Sequence, residues 1–247
     1  MKKEIIPKKL HYCWFGGNKK PALVQKCIDS WKRFCPNYEI IEWNETNFDI
    51  NSNIYIKEAY EAKKWAFVTD YVRLFVLVKY GGVYLDSDVE LFSCLDDFLS
   101  NVAFTGFESK DSPITAIMGC AKNYYLFKEL LDYYSDKHFL LEDGTYDIKT
   151  NTETITDCFI KKGIKLNGKK QTISDCVIYP EIFFCPCTFG MIFNHYSKKT
   201  IASHHFMGSW GMNGAITKRS FIQRIRMFLI RKARNIFGSK RISRLKK

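Results

Sequence analysis

The sequence predicts an α/β fold in which a mostly parallel sheet is flanked by helices. Short apolar segments with strand-like alternation take turns along the chain with longer segments of helical periodicity. Two glycines, Gly16 and Gly17, follow the first strand-like segment, as in a turn where the backbone can approach a ligand. The 247 residues are enough for one domain with a full hydrophobic core, and we expect that domain to occupy residues 1–217.

The first half of the chain opens as strand, helix and strand, which is typical of a parallel sheet. Pro21 suits the first turn of the first helix, because its missing N–H needs no partner there. Gly81 and Gly82 end a strongly apolar helix and lead into the next strand. The elements expected in this half are a strand at 9–14, a helix at 21–34, a strand at 38–43, helices at 53–64 and 66–79, and a strand at 83–86.

The second half continues the alternation with shorter and weaker signals. Helices are therefore expected on both faces of the sheet. The elements expected here are a strand at 102–107, helices at 124–134 and 152–162, and short strands at 176–179 and 200–205.

Basic residues are concentrated at the carboxyl end of the chain. The net charge is +12, from 38 Lys+Arg and 26 Asp+Glu, and residues 218–247 hold 12 of the basic residues and no acidic one. The 26 basic and 26 acidic residues that remain in 1–217 cancel, so a nucleic-acid-binding face is not indicated. In the tail, Phe221, Ile225 and Ile236 alternate with arginines, as in a basic amphipathic helix at an anionic membrane surface. The alternative is a helix packed on the domain and followed by a disordered basic end.

No targeting or membrane-spanning segment is indicated. No apolar run approaches the ~18–20 residues of a membrane span, and Lys8 and Lys9 follow too soon after the N-terminus for a signal peptide. The nine cysteines are scattered without a CxxC pair, and only Cys185 and Cys187 are close in sequence. We therefore expect reduced cysteines in a cytoplasmic protein, peripheral on the inner face of a bacterial membrane.

Two carboxylates follow the strand expected at 83–86. Asp86 and Asp88 are one residue apart and can face the same side of the chain, at the edge of an open α/β sheet where ligands bind. Such a pair suits a hard divalent cation that keeps positions open for phosphate oxygens. An Asp-x-Asp sequence is also common in solvated turns, so on its own it leaves both interpretations open.

One acidic and one basic residue lie within the apolar helix that precedes this strand. Asp70 and Arg73 are three residues apart and therefore share a helix face. They are the only charged residues between Lys64 and Lys79. The pair is either a buried structural salt bridge or a polar pair directed into a ligand cleft, and the two interpretations are compatible.

Three blocks of the sequence resemble bacterial sugar transferases of glycosyltransferase family 32. The blocks are IPKKLHYCWFGG at 6–17, TDYVRL at 69–74 with YGGVYLDSD at 80–88, and HHFMGSW at 204–210. They are similar to the family patterns IPK-IH-WFGG, SDYVRL…YGGVYLDTD and a closing HH---SW, and they also resemble the clostridial glucosylating toxins. Thr69 stands where the family has Ser. The resemblance extends over most of residues 1–217, and its combined pattern is specific although no single block is.

The resemblance implies a GT-A fold, a nucleotide-sugar donor and a Mn²⁺ or Mg²⁺ ion. Arg73, Asp86 and Asp88 are the expected catalytic residues. The related toxins have a metal-ligating acid five residues before a phosphate-binding Trp, and His205 occupies that position here. The implied roles are base stacking for Trp14, contacts to ribose, donor sugar or phosphate for Asp70 and Arg73, a donor-facing position for Tyr84, sugar or ribose binding for Asp86, metal ligation for Asp88 and His205, and phosphate binding for Ser209 and Trp210.

Several of these residues have a plain structural alternative. Trp14 shares a strand face with Leu10 and Tyr12, so it is either a core residue or a base platform. His204 and His205 are either a buried pair in a strand or contain the metal ligand. The acids that can act on an acceptor are Asp111, Glu153 and Asp157, and the sequence at 151–153 is equally typical of a helix cap.

The predicted function is a metal-dependent, retaining transfer of a sugar from a nucleotide sugar, with a uridine diphosphate hexose favoured over a guanosine donor. The expected acceptor is a lipid-linked or surface polysaccharide such as capsule or lipopolysaccharide. Retention comes from the family resemblance, and front-face attack within one complex is expected because no residue stands out as a nucleophile. The alternatives are a toxin-like transferase that modifies proteins and a binding protein that has lost catalysis. Hydrolysis of the donor in the presence of Mn²⁺ distinguishes an active transferase from a binding protein that has lost catalysis.

Overall fold

The computed structural model describes residues 3–113, 115–186 and 196–207. Strands and helices alternate through most of this range, as the sequence predicts. The strands are β1 (Lys9–Cys13), β2 (Glu39–Trp43), β3 (Gly82–Leu85), β4 (Val89–Leu91), β5 (Ala103–Ser109), β6 (Ser112–Pro113), β7 (Ile117–Cys120), β8 (Gln171–Ile173), β9 (Cys176–Tyr179) and β10 (Ala202–His204). The helices are α1 (Ala22–Phe34), α2 (Ile54–Glu61), α3 (Trp65–Tyr80), α4 (Tyr125–Asp132), α5 (Asn151–Lys161) and α6 (Glu181–Phe184).

The main sheet has the strand order β2-β1-β3-β7-β5-β9-β8, with β6 paired to β5. Strands β2, β1, β3, β5 and β9 run in one direction, and β7 and β8 run against them. The carboxyl ends of β1, β3 and β5 therefore meet at one edge of the sheet. The prediction of a mostly parallel sheet flanked by helices is confirmed, and this mixed α/β architecture is consistent with the GT-A fold that the resemblance implies.

Two hydrophobic cores lie on opposite faces of the main sheet. Along β3, the side chain of Tyr84 enters one core, while those of Val83 and Leu85 enter the other. Helices α2 to α5 cover the Tyr84 face, and α1 and α6 cover the opposite face. Strand β3 is buried along its whole length, so the two residues that follow it are positioned by a rigid element.

Four strands, one strand pairing and one short helix were not expected from the sequence. Strand β4 has three residues, which is too short for an alternation to be recognised, and β7 is buried at every position, so it has no polar face. The strand expected at 200–205 exists as β10, but it pairs with β4 in a separate two-stranded sheet. The unexpected elements are β4, β6, β7, β8 and the antiparallel pairing of β10, together with α6.

The start of β3 is fixed by a buried histidine of β1. The ring of His11 donates from Nε2 to the carbonyl of Gly81 at 2.8 Å and accepts at Nδ1 from the Trp43 indole at 3.1 Å. Gly82 has a φ of +104°, and a Cβ there would lie 2.8 Å from the Lys9 carbonyl oxygen. Position 82 requires glycine because strand β1 passes so close to β3. The His11 ring must be neutral because it donates from one nitrogen and accepts at the other.

Several sequence expectations concern residues outside the described part of the chain. These are the amphipathic helix at 218–247 and the donor contacts of Ser209 and Trp210. No helix within residues 3–113, 115–186 and 196–207 is long and apolar enough to cross a membrane. The cysteines at which the structure shows free thiols are Cys13, Cys27, Cys35, Cys94, Cys120, Cys158 and Cys176.

Candidate functional site

The carboxyl end of β3 places two aspartates at the edge of the sheet. The backbone N–H of Asp86 donates to the carbonyl of Ala116 at 2.8 Å, and the N–H of Val89 donates to the carbonyl of Asp86 at 2.9 Å. These bonds close a tight turn from β3 into β4. The turn leaves Asp86 half-buried and Asp88 buried, so the two carboxylates sit at the rim of a rigid framework.

Strand β10 brings a histidine to the same place. His204 pairs with Val89 in the antiparallel ladder between β10 and β4. Its Nε2 lies 3.2 Å from Asp88 Oδ1 and 4.0 Å from Asp86 Oδ2. One potential ligand atom from each of the three residues lies within 4.8 Å of the other two. Within the described ranges, these residues form the one group of three or more acidic, histidine or cysteine side chains arranged to hold a metal ion.

The charges of this cluster show that it favours a cation. Burial alone would lower the pKa of His204, but Asp88 and then Asp86 raise that pKa to about 9. Burial alone would raise the pKa of Asp88, but the imidazolium of His204 and the N–H of Met207 lower it to about 2. The imidazolium therefore supplies the positive charge that two neighbouring carboxylates require.

The second histidine of the pair points elsewhere. The Nε2 of His205 is bonded to Glu90 Oε2 at 2.9 Å, and Glu90 forms an ion pair with Lys26 at 2.9 Å. The backbone N–H of His205 donates to the carbonyl of Asp88 at 3.0 Å. Adjacent residues of an extended chain face opposite sides. The side chain that meets the carboxylates is thus that of His204, whereas the side chain of His205, at which the metal ligand is expected from the sequence, contacts Glu90.

Arg73 links the apolar helix to the aspartate cluster. The guanidinium is buried and donates from Nη1 to the carbonyl of Thr115 at 2.8 Å. Its Nη2 lies 3.2 Å from Asp70 Oδ1 and 3.2 Å from Asp86 Oδ1. The salt-bridge interpretation of the Asp70–Arg73 pair is confirmed, and the salt bridge extends directly to Asp86.

The buried side chain of Tyr84 fixes the position of Asp86. Its hydroxyl donates to Asp86 Oδ1 at 2.9 Å, and the Arg73 guanidinium lies 4.9 Å from the centre of its ring. Burial, followed by the charge of Asp86, raises the pKa of Tyr84 well above its usual value, so the hydroxyl stays protonated and remains a donor. Tyr84 is therefore a positioning residue for Asp86.

Asn151, at the first turn of α5, belongs to the site and was not expected from the sequence. Its backbone N–H donates to Asp70 Oδ2 at 3.1 Å, and its side-chain amide donates to the Asp70 carbonyl at 2.9 Å. Asn151 Oδ1 is buried and has no hydrogen-bond partner among the described residues, and Asp70 Oδ1 has only its ion pair with Arg73. Burial, opposed by Arg73, raises the pKa of Asp70 to about 7. Nothing in the local sequence at 151 indicates contact with a helix that lies 81 residues earlier.

Trp14 lies where β1 ends, beside the Gly16-Gly17 turn. Its ring packs in part against the core and remains half-buried, and its indole N–H donates to the carbonyl of Asn18 at 2.7 Å. The ammonium of Lys20 lies 5.7 Å from the ring centre and 2.8 Å from Glu42 Oε2. One part of the Trp14 ring thus packs against the core, as the core interpretation predicts. The rest of the ring remains partly accessible.

The three acids considered for the acceptor have local partners. Glu153 forms a capping box with Thr150 at the start of α5, so the helix-cap interpretation is confirmed there. Asp157 pairs with Lys149 at 2.7 Å, and Asp111 accepts from the hydroxyl of Ser109 at 2.7 Å. The structure does not bring these side chains to Asp86.

The arrangement described so far combines a carboxylate pair, an imidazole and a buried guanidinium at the carboxyl edge of an α/β sheet. Residues 21–105 match a glycosyltransferase family model. That model is described as the glycosyltransferase sugar-binding region containing a DXD motif, and Asp86-Ser87-Asp88 is the Asp-x-Asp sequence within the match. The predicted enzyme class, glycosyltransferase, is therefore confirmed for this region, with α1, α3 and β3 inside it.

Two curated proteins and one solved structure extend the comparison. Inositol phosphoceramide mannosyltransferase 3 of Schizosaccharomyces pombe is 30% identical over 130 residues, which are 48% of this chain and 34% of the yeast protein. An uncharacterized glycosyltransferase of Acanthamoeba polyphaga mimivirus is 22% identical over 92% of both chains. The PaToxG glycosyltransferase structure aligns with a TM-score of 0.49 and 15% identity over 65% of this chain and 70% of that one.

The coverage and the sources of these relatives limit which of their properties can be assigned to this chain. The chain spans about a third of the length of the yeast relative, 34% of it. The two curated relatives come from a yeast and a virus, so the bacterial origin and the capsular role expected from the family resemblance are not confirmed.

Proposed function

We propose that the protein is a metal-dependent, retaining glycosyltransferase that uses a nucleotide-sugar donor. The observation that carries the proposal is the cluster of Asp86, Asp88 and His204, with Arg73 bound to Asp86. It lies at the carboxyl edge of the sheet, within or next to the region that matches the glycosyltransferase family model. The cluster offers ligands for a cation, and Arg73 adds a fixed positive charge beside it.

The residues of the cluster fit a divalent cation. Carboxylate oxygens suit Mn²⁺ and Mg²⁺, and an imidazole nitrogen favours Mn²⁺ of the two. The Nε2 of His204 faces both carboxylates, so one nitrogen and two carboxylate oxygens can converge on one ion. A bound ion would neutralise charge on the leaving diphosphate.

Neighbouring residues hold Asp86 and Asp88 in fixed orientations. Tyr84 and Arg73 both bind Asp86 Oδ1, while the N–H of Met207 donates to Asp88 Oδ2 at 2.8 Å. Each aspartate therefore keeps its orientation without reorganising when the donor arrives. Both are engaged in this framework, and for this reason we propose front-face attack by the acceptor rather than attack by an enzyme carboxylate.

We propose that the sugar of the donor binds beside Asp70 and Asn151. Asn151 Oδ1 is a buried acceptor without a hydrogen-bond partner in the described part of the chain, and Asp70 Oδ1 has only its ion pair with Arg73, so both can accept from hydroxyl donors. A site with buried acceptors strongly disfavours ligands that lack the matching hydroxyl groups, because the acceptors then stay unpaired. We propose that Asp70 and Asn151 bind hydroxyl groups of a hexose.

The nucleotide is assigned to the end of β1. The half-buried ring of Trp14 is the proposed platform for the base, with uridine favoured, and Ser209 and Trp210 are the proposed phosphate ligands. We propose a lipid-linked or polymeric glycan as acceptor and a peripheral position at the inner face of a membrane, to which the basic segment 218–247 would bind.

Thermal shift and calorimetry with nucleotide sugars, with and without Mn²⁺, test the proposal. We expect one donor to stabilise the protein, and to stabilise it more in the presence of Mn²⁺. Asp88→Asn should remove the metal-dependent part and keep the fold, which circular dichroism checks. Slow donor hydrolysis with Mn²⁺ is the expected activity. A folded wild-type protein that neither binds nor hydrolyses any nucleotide sugar would overturn the proposal.

A further inference from the structure

One exposed loop of the described structure carries charge of a single sign. Residues 161–170 contain five lysines and no acidic residue. The loop begins at the end of α5, passes over Gly163 and Gly168, and enters β8 at Gln171. All five lysines are exposed. We call these residues, together with the adjacent Lys110, the basic loop.

The basic loop lies at the same edge of the sheet as the aspartate cluster. Strand β9 runs parallel to β5, and β8 runs against β9 with Gln171 opposite Ile178, so the chain enters β8 at the carboxyl edge. The loop also contacts the turn that follows β5, because a Cβ on Gly168 would lie 3.2 Å from the Cα of Lys110. Four strand spacings separate β3 from β8, which corresponds to about 20 Å along the edge.

Most of the positive charge of the basic loop is uncompensated. Lys162 forms an ion pair with Glu129 at 2.7 Å. Among the described residues, the other lysines of the basic loop form no ion pair within 4.0 Å. These lysines are Lys110, Lys161, Lys165, Lys169 and Lys170.

Two exposed aliphatic side chains accompany these charges. Ile160 is 50% exposed and Leu166 is 37% exposed. Lysines around exposed aliphatic side chains are typical of a surface that meets the headgroup region of an anionic bilayer. A surface for single-stranded nucleic acid would instead present aromatic rings for base stacking, and residues 161–170 contain no aromatic residue.

We propose that the basic loop docks on the surface of an anionic phospholipid bilayer and turns the aspartate edge of the sheet toward it. The proposal concerns the folded domain and is independent of the segment 218–247. It also does not depend on the transferase chemistry, although it would bring an acceptor held in the membrane to the correct side of the molecule.

The test is partition of the full-length protein onto vesicles. Wild-type protein is sedimented with vesicles of phosphatidylcholine alone and of phosphatidylcholine with phosphatidylglycerol, at low and high salt. The test variant is Lys165→Gln/Lys169→Gln/Lys170→Gln. The matched control is Lys32→Gln/Lys57→Gln/Lys63→Gln, which removes the same net charge from exposed lysines elsewhere. Circular dichroism and donor binding confirm that each variant is folded.

We expect wild-type protein to bind the anionic vesicles and to lose that binding at high salt. The loop variant should partition roughly a hundredfold more weakly, since each lysine near such a surface contributes about 1 kcal/mol. The control variant should lose much less. Equal losses in the two variants would overturn the proposal, because net charge or the segment 218–247 would then explain the binding. Absence of vesicle binding, or loop-dependent binding to heparin or RNA in its place, would also overturn it.

Discussion

The Nε2 atom of His204 lies 3.2 Å from Asp88 Oδ1, where the antiparallel ladder of β10 and β4 meets the end of β3. Strands β4 and β10 lie more than a hundred residues apart in the sequence, and their pairing brings Asp88 and His204 together. The contact raises the pKa of the histidine to about 9 against the effect of burial. The protonated imidazole supplies positive charge beside the two carboxylates, and it has to lose its proton before Nε2 can bind a metal ion.

Removing the hydroxyl of Tyr84 should loosen Asp86 without unfolding the protein. In Tyr84→Phe, Asp86 Oδ1 keeps Arg73 and loses the bond from Tyr84 at 2.9 Å. A hydrogen bond to a charged group contributes about 1.5–3 kcal/mol. We expect the rate of sugar transfer to fall roughly tenfold to a hundredfold while the melting temperature changes little. Tyr55→Phe, a buried tyrosine of the same core, is the control, and equal losses of activity in the two variants would contradict a specific role for Tyr84.

Replacing Asn151 should affect the donor sugar more than the metal. Asn151→Ala removes the amide that donates to the Asp70 carbonyl and removes the acceptor Oδ1, but keeps the backbone N–H that binds Asp70 Oδ2. Sugar-dependent binding should weaken by about 1–3 kcal/mol, with nucleoside diphosphate binding unchanged. Calorimetry with the nucleotide sugar and with its nucleoside diphosphate separates the two effects. Thr156→Ala is the control, because Thr156 is a half-buried residue later in α5 whose hydroxyl bonds within the helix. Equal weakening of both ligands would count against this assignment.

The contribution of His11 to the stability of the protein should decrease as the pH falls below neutrality, and it is separated from the opposite contribution of Asp70, whose pKa is raised to about 7, by comparison with a His11 variant. Burial lowers the pKa of His11 to about 4, from an ordinary value of 6.5. Between these two values the unfolded chain binds a proton that the folded chain does not, so the free energy of unfolding decreases as the pH falls through this range. The loss of this contribution between pH 7 and pH 5 should be about 2 kcal/mol, measured by urea unfolding as the difference between the wild type and His11→Gln. His11→Gln should be less stable at pH 7 and should show a smaller dependence on pH. An unchanged pH dependence would show that His11 is not the group responsible.

The sequence was sufficient for the features that depend on local pattern. Asp70 and Arg73 share a face of α3 because they are three residues apart, and Asp86 and Asp88 lie at the sheet edge because an apolar strand precedes them. The strand alternation also placed Leu10 and Tyr12 on the same face as Trp14, and all three side chains pack in the same core. Such features require only the periodicity of one element.

Features that depend on the pairing of distant elements were not accessible from one sequence. The choice between His204 and His205 is made by the register of β10 against β4, and a shift of one residue exchanges their directions. The contact of Asn151 with Asp70 joins residues from two helices, and the local pattern at 151 indicates only a helix start. Strands β4 and β7 were missed because a very short strand and a fully buried one carry no period.

The most direct test of the metal site compares His204→Ala with His205→Ala. Binding of Mn²⁺ in the presence of a nucleoside diphosphate is measured by calorimetry in both variants, after circular dichroism has confirmed the fold. Loss of a ligand should weaken Mn²⁺ binding at least tenfold in His204→Ala, while His205→Ala, which loses only the bond to Glu90, should bind Mn²⁺ nearly as the wild type does. Wild-type affinity in His204→Ala together with a tenfold loss in His205→Ala would contradict the site described here.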